Sequence, residues 1–284
     1  STYAAGAWAS GGAINTARRH FDGAGTQTAA IVFGGDKAPP LTNTGEAETY
    51  DGSSWTEVAD LNTARHYVVG AGATQTAVLA ISGTPPVTGI TEQWNGTGWT
   101  EVADLTTARA QATAAGSSTS AICFAGAPNR TIAESWDGSS WTEVADLNTG
   151  RADIAGAGES NTSALGFGGA STPPFNLQGG ATESWNGTAW TEVANLNTAR
   201  LQLGGIGTQG EALAFGGDTP PHTVNTEDWD GVSWTEVANL STSRQQLATA
   251  GTNTAGLAAG GFISAVSNAT EEWTVPQNVE IITD

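Results

Sequence analysis

The sequence predicts an all-β fold: a six-bladed β-propeller with four antiparallel strands per blade, its ring closed by an N-terminal strand that completes the C-terminal blade. Three observations predict it. The string WTEVADLNTAR at residues 55–65 returns, with a few changes, at 99–109, 141–151, 190–200 and 234–244, and a degenerate copy at 8–18 keeps only the flanking Trp and the closing NTAR. The Trp-to-Trp steps are 47, 44, 42, 49 and 44 residues, which fits a four-stranded blade and is too long for a leucine-rich coil. The two ends of the chain hold partial units that together make one blade.

Within a unit the elements follow in a fixed order. After the Arg comes a small-residue stretch ending in Gly, as at 21–25 or 203–207, read as the first strand. A short turn leads to an apolar run that closes on small residues, as at 29–35, 120–126 and 211–217. Continuous apolar character over about five residues suits a strand buried on both faces. A variable segment follows, usually with a proline pair (Pro39–Pro40, Pro85–Pro86, Pro173–Pro174, Pro220–Pro221). Proline pairs cannot join a central ladder, so these are loops. The third strand carries Glu-x-aromatic. An Asp-Gly or Asn-Gly turn (Asp51, Asn95, Asp137, Asn186, Asp230) then supplies the positive φ of a tight hairpin before the Trp of the fourth strand.

The blades fall at about 15–61, 62–105, 106–147, 148–196, 197–240 and 241–275, the last completed by residues 1–14, so that 1–275 is a single domain. Such closure removes the aggregation-prone edge of an open array. Residues 276–284 read as a tail or the start of a linker. Because the chain starts at Ser1 and has no methionine, it is expected to be a processed product or an excised fragment.

A run of apolar residues ending in Gly-Gly, a spaced aromatic, a Trp, and an Arg opening the next unit resembles the kelch repeat. The resemblance covers essentially residues 1–275 and implies the propeller of the galactose-oxidase central domain. It departs from the pattern at Tyr50, which replaces Trp, and at Ser82-Gly83 and Ala125-Gly126, which replace the double glycine. Kelch-like propellers include enzymes and many protein-binding modules, so the resemblance speaks to fold more than to function. The wording GAGTQTA, NTAR and SSWTEV is also similar, more loosely, to structural repeat proteins of marine tailed phages.

The chain carries 28 acids against 9 bases, for a net charge of −19. A polyanion does not attract phosphate backbones or anionic lipid, so no nucleic acid and no membrane is expected as partner. No apolar run approaches the ~18 residues of a membrane span. Much of the charge is one blade's charge copied round the ring, since 17 of the 28 acids occupy repeated positions. One cysteine, Cys123, and three histidines offer little for a disulfide or a metal cage. No cofactor is expected.

Aligning the units separates framework from free positions. Glu48, Glu92, Glu134, Glu183, Glu227 and Glu271 stand two residues before the third-strand aromatic, and Arg18, Arg65, Arg109, Arg151, Arg200 and Arg244 open the first strands. Fixed register in every copy predicts repeated ion pairs tying strands or blades, rather than a ring that binds an anion. The 11 tryptophans all fall in register too. They are read as wedges between blades, and a lectin reading based on tryptophan content alone fails.

Two residues after the framework Arg the pattern breaks, giving His20, Tyr67, Gln111, Asp153, Gln202 and Gln246. A first strand lines the channel of a propeller, so these six should form a polar ring at one mouth, as wet channel lining or as a ligand ring. Lys37, Arg130, Phe175, His222 and Phe262 lie outside the consensus in the loops before the third strands. Those loops should share a face with the NTAR turns, and loops on a rigid scaffold are where binding usually resides.

No complete catalytic set emerges. Copper-oxidase chemistry would draw on His20, His66, Tyr67 and Cys123, but Cys123 lies in an apolar strand, where a thiol acts as a small hydrophobe. Glycoside hydrolysis needs two carboxylates across a cleft. Only Asp153 is expected outside the framework acids and near one. Calcium at Asp36 or Asp218 has no spacing rule behind it. The expectation is a non-enzymatic binding or structural module of a phage virion, tail fibre or other extracellular protein. Its partner would be a protein or glycan, within a larger assembly. The alternative is a carbohydrate-active or galactose-oxidase-like enzyme acting at the polar ring.

Overall fold

The computed structural model describes residues 5–37, 40–127, 131–171, 179–220 and 222–276. Six four-stranded antiparallel sheets stand in a closed ring, each inner strand packing on those of the two neighbouring blades. From the channel outward, blade 1 is built from Asp22–Thr26, Ala29–Phe33, Ala47–Tyr50 and Trp55–Val58. Blade 2 runs Val69–Thr74, Ala77–Gly83, Thr88–Trp94 and Trp99–Glu101. Blade 3 runs Thr113–Ser117, Ser120–Phe124, Ala133–Trp136 and Trp141–Val144. Blade 4 runs Ala155–Ser160, Ser163–Phe167, Thr182–Trp185 and Trp190–Val193. Blade 5 runs Gly204–Gly207, Ala212–Phe215, Thr226–Trp229 and Trp234–Glu236. Blade 6 runs Ala248–Gly251, Ala255–Ala259 and Thr270–Thr274, and its outer strand is Ala7–Gly11, paired from Ala7↔Thr274 to Gly11↔Thr270.

Inner strands are made of small residues because six of them converge. A Cβ at Gly70 would stand 2.6 Å from the carbonyl oxygen of Gly23, and one at Gly205 would stand 2.9 Å from that of Gly156. The second strands are almost fully buried and form the apolar middle of each blade. Every core cluster spans two blades: Ala24, Ile31 and Phe33 of blade 1 pack with Val78, Ala80, Trp94 and Trp99 of blade 2. The tryptophans are the wedges the repeat predicts. Third- and fourth-strand rings pair across each hairpin, as Trp94 with Trp99 at 5.3 Å and Trp185 with Trp190 at 5.4 Å, while Trp99 reaches Phe33 of the preceding blade at 5.0 Å. Each such ring removes roughly 200 Å2 from water, a gross gain on the order of 5 kcal/mol.

The six predicted ion pairs are present and buried. Arg18–Glu48, Arg151–Glu183, Arg200–Glu227 and Arg244–Glu271 lie at 2.7, 2.8, 3.0 and 2.6 Å, and Arg65–Glu92 and Arg109–Glu134 complete the set. Each joins the connection entering a blade to that blade's third strand. The same carboxylate also takes backbone N–H groups of the NTAR turn, as Glu48 does from Asn15 at 2.7 Å and Glu183 from Asn148 at 2.7 Å. A charge removed from water is thereby surrounded by donors, which is the condition under which burying it is tolerable.

Candidate ligand site at the channel mouth

The chain enters each blade along the loop-bearing face, turns its framework Arg inward, and pairs the next residue with the end of the second-strand loop, as Arg19 with Asp36 and Gln245 with Phe262. It must then bend sharply down the channel. The residue at that corner is the sequence-predicted ring residue, and all six adopt positive φ: His20 52°, Tyr67 54°, Gln111 56°, Asp153 54°, Gln202 54° and Gln246 59°. A left-handed conformation costs a non-glycine residue about 1–2 kcal/mol, yet glycine occupies none of the six corners. Backbone bonds link the corners head to tail. His20 N–H donates to Gln246 O, Tyr67 to His20, Asp153 to Gln111, Gln202 to Asp153 and Gln246 to Gln202, at 2.8–3.1 Å.

All six residues line one cavity of about 190 Å3 that continues down the channel between the inner strands. Their side chains are interlinked. Gln111 Nε2 donates to Asp153 at 3.0 Å, Gln202 donates to Asp153 from the other side, and Gln246 Nε2 donates to Gln202 Oε1 at 2.8 Å. Burial raises the Asp153 carboxyl to about 6 against the pull of both amides. The Tyr67 phenol is raised by burial and by the Asp153 and Asp36 charges.

Asp22 is a second acid in this cavity, which corrects the expectation that Asp153 alone lies near a cleft outside the framework. It starts the inner strand of blade 1, in register with Val69, Thr113, Ala155, Gly204 and Ala248. Its carboxylate accepts the N–H groups of Gly23 and Gly70, each at 2.8 Å, and burial still raises it to about 7. A carboxyl raised in this way lowers folded stability progressively as pH climbs from its unfolded value toward 7. The signal for it was available, as the one acid inside an otherwise small, uncharged first strand.

On the loop-bearing face beside the ring, blades 1, 2 and 6 bring further side chains together around Asp36, whose register Asp218 repeats in blade 5. Asp36 takes His20 Nδ1 at 2.7 Å and Arg19 Nε at 3.0 Å. Burial opposes its ionisation, but these two partners outweigh it and hold the carboxyl below its ordinary range. The His20 ring packs 4.1 Å from that of Tyr67, tilted by 40°, and lies 5.8 Å from His66, whose Nδ1 meets Asn43 Oδ1 at 2.7 Å. Burial lowers both histidines. Of the predicted loop residues, Lys37 pairs with Glu46, Phe262 lies under the Arg19 guanidinium at 5.3 Å, and His222 contacts Asp218 at 3.2 Å. Arg130 and Phe175 lie outside the described residues.

The structure thus brings His20, His66 and Tyr67 together but not Cys123. That thiol is fully buried among residues of blades 2 and 3, including Val69, Leu79, Ile81 and Trp136, and burial raises it to about 11. Among the described residues no group of three His, Cys, Asp or Glu side chains is placed to hold a metal ion, and no helix is long and apolar enough to cross a membrane. No protein-family model matches this chain, and comparison with the curated proteins finds no match.

Proposed function

We propose that this chain is a non-enzymatic binding propeller that engages a protein or glycan through its loop-bearing face. The observation that carries the reading is where the departures from sixfold repetition fall. The framework, core and hairpin turns repeat blade by blade, whereas Arg19, His20, His66, Tyr67 and Phe262 depart from it together at one mouth, around Asp36, whose register blade 5 repeats as Asp218. Leu41 and Val87, which are 61% and 51% exposed, stand in the loops of that same face. The kelch-like repeat is consistent with this role. The looser resemblance of the GAGTQTA, NTAR and SSWTEV wording to phage structural repeat proteins is the ground for placing the chain on a virion, a tail fibre or another extracellular structure.

The competing reading, a carbohydrate-active or oxidase-type enzyme at the polar ring, draws on Asp22 and Asp153 sharing one cavity. A cysteine-crosslinked tyrosine would require Cys123 beside Tyr67, and Cys123 packs elsewhere. Screening the purified chain on a glycan array, with copper analysis and a sugar-turnover assay, separates the two. Binding without turnover, weakened by Leu41→Asp with Val87→Asp, is the expected result. Stoichiometric copper or sugar oxidation would overturn the proposal.

A further inference from the structure

Two polar atoms at the channel mouth are buried and unpartnered: His20 Nε2 and Gln246 Oε1. They belong to adjacent corners of the ring, joined by the 3.1 Å bond from the His20 N–H to the Gln246 carbonyl, and both residues line the cavity. The His20 side chain is only 9% exposed.

The surrounding bonds decide what each atom offers. Asp36 is ionised beside Arg19 and can only accept, so His20 Nδ1 carries the proton of that 2.7 Å bond. Burial disfavours a second proton on the ring, which leaves Nε2 as a bare lone pair. The Gln246 amide is oriented from the opposite side. Asp153 accepts from Gln202, so Gln202 presents its Oε1 to Gln246, and Gln246 must answer with Nε2 at 2.8 Å. Its Oε1 is then the atom left over. Both unsatisfied atoms are acceptors, and natural folds leave few such groups buried.

Charge narrows the complement further. Asp22 and Asp153 share the cavity, and among the described residues lining it there is no Lys or Arg. The inner strands below the ring are glycine and alanine for most of their length, so small side chains wall the lumen. The Tyr67 ring, 4.1 Å from His20, adds an aromatic face to the same wall.

We propose that the channel mouth, at the seam between blades 6 and 1, binds a primary ammonium group, whose N–H donors go to His20 Nε2 and Gln246 Oε1 while Asp153 supplies the opposing charge. The ammonium comes either from a small free amine or from a lysine side chain presented by a protein. The site does not depend on the loops engaging a partner, so its failure leaves the loop-face reading standing.

Calorimetric and NMR titration of the full chain at constant ionic strength tests it, using n-butylammonium chloride, n-butanol and tetramethylammonium chloride as probes. The expected result is n-butylammonium binding at least tenfold more tightly than either control, with the His20 ring resonances shifting on binding. Gln246→Leu and Asp153→Asn should each weaken it at least fivefold, while thermal melts report whether the variants are folded. The comparison of the three probes on the unaltered chain needs no variant. Equal binding of n-butanol would make the site one for hydroxyl groups and overturn the proposal. Equal binding of tetramethylammonium would remove the hydrogen-bond assignment and overturn it as well, as would no binding of n-butylammonium. Nα-acetyl-lysine N-methylamide distinguishes the sources. Binding as tight as n-butylammonium supports a lysine side chain, and exclusion of this bulkier probe supports a free amine.

Discussion

Ser82 occupies a corner that four other blades give to glycine. Gly34, Gly168, Gly216 and Gly260 have φ of 68°, 70°, 63° and 61°, and Ser82 and Ala125 are forced to 60° and 63°. A Cβ at those glycines would stand 2.6–3.0 Å from the carbonyl oxygen of the next blade's framework Arg. Ser82 also buries a hydroxyl that has no partner. Ser82→Gly removes the strained conformation and the orphan together, and should raise stability by about 1–2 kcal/mol. Urea denaturation of the two proteins measures this directly, and a lower midpoint for the glycine variant would mean that the hydroxyl is satisfied. The ring corners are strained in the same way, but the side chains of Gln111, Asp153, Gln202 and Gln246 bond one another in a row. Glycine there would lose the Gln–Asp153–Gln links as it relaxed the backbone.

The connections between blades form one repeated element, and its energetic centre is the Arg–Glu pair. Arg109 donates to Ile132 O at 2.8 Å as well as to Glu134, and Glu134 takes the N–H groups of Thr106 at 2.7 Å and Thr107 at 3.2 Å. Arg109→Met leaves that carboxylate buried without its counter-charge, a cost of about 3–5 kcal/mol. Arg109→Lys should recover only part, because an ammonium cannot fork to the carboxylate and carbonyls together. Chemical denaturation of the two variants would reveal a surface-like pair if both stayed within 1 kcal/mol of the parent. This element was legible in the sequence because a buried charge demands its partner at the same register in every copy, and so were the second strands, the hairpin turns and the polar ring. The left-handed corners were not, because Tyr67, Gln111, Gln202 and Gln246 carry no left-handed signature, and His20 and Asp153 alone do not mark a repeated position. They are imposed by the turn into the channel rather than by local propensity. Asp22 escaped for a related reason, since its neighbours of matching register are Val, Thr, Ala and Gly, so the alignment marked the stretch only as small. The short ribbon of Asp36–Lys37 with Thr42–Asn43 was likewise hidden within a loop that has no periodicity.

At the scale of the whole ring, the first strand does what no other segment can. Ala7–Gly11 covers the outer edge of Thr270–Thr274 along five paired residues. Trp8 packs 5.6 Å from Trp273 and 4.9 Å from Phe215 of blade 5, so a single strand seals the seam between blades 5 and 6. The residues just after it reach the other side of blade 6. Gly12 O accepts the Trp55 indole N–H at 2.8 Å, and Ile14 lies in the cluster shared by blades 1 and 6. Deleting residues 1–14 therefore uncovers a sheet edge, a tryptophan wedge and part of the seam between the sixth and first blades at once. The melting temperature should fall by about 10 °C or more, and the bared edge of Thr270–Thr274 should drive association through strand pairing. Differential scanning calorimetry and light scattering read both effects. A truncated chain that melts at the parent temperature and stays monomeric would show that the remaining twenty-three strands of the six sheets close the ring without it. Adding residues 1–14 back as a peptide should restore the melt, because the groove they leave is already lined by their native partners.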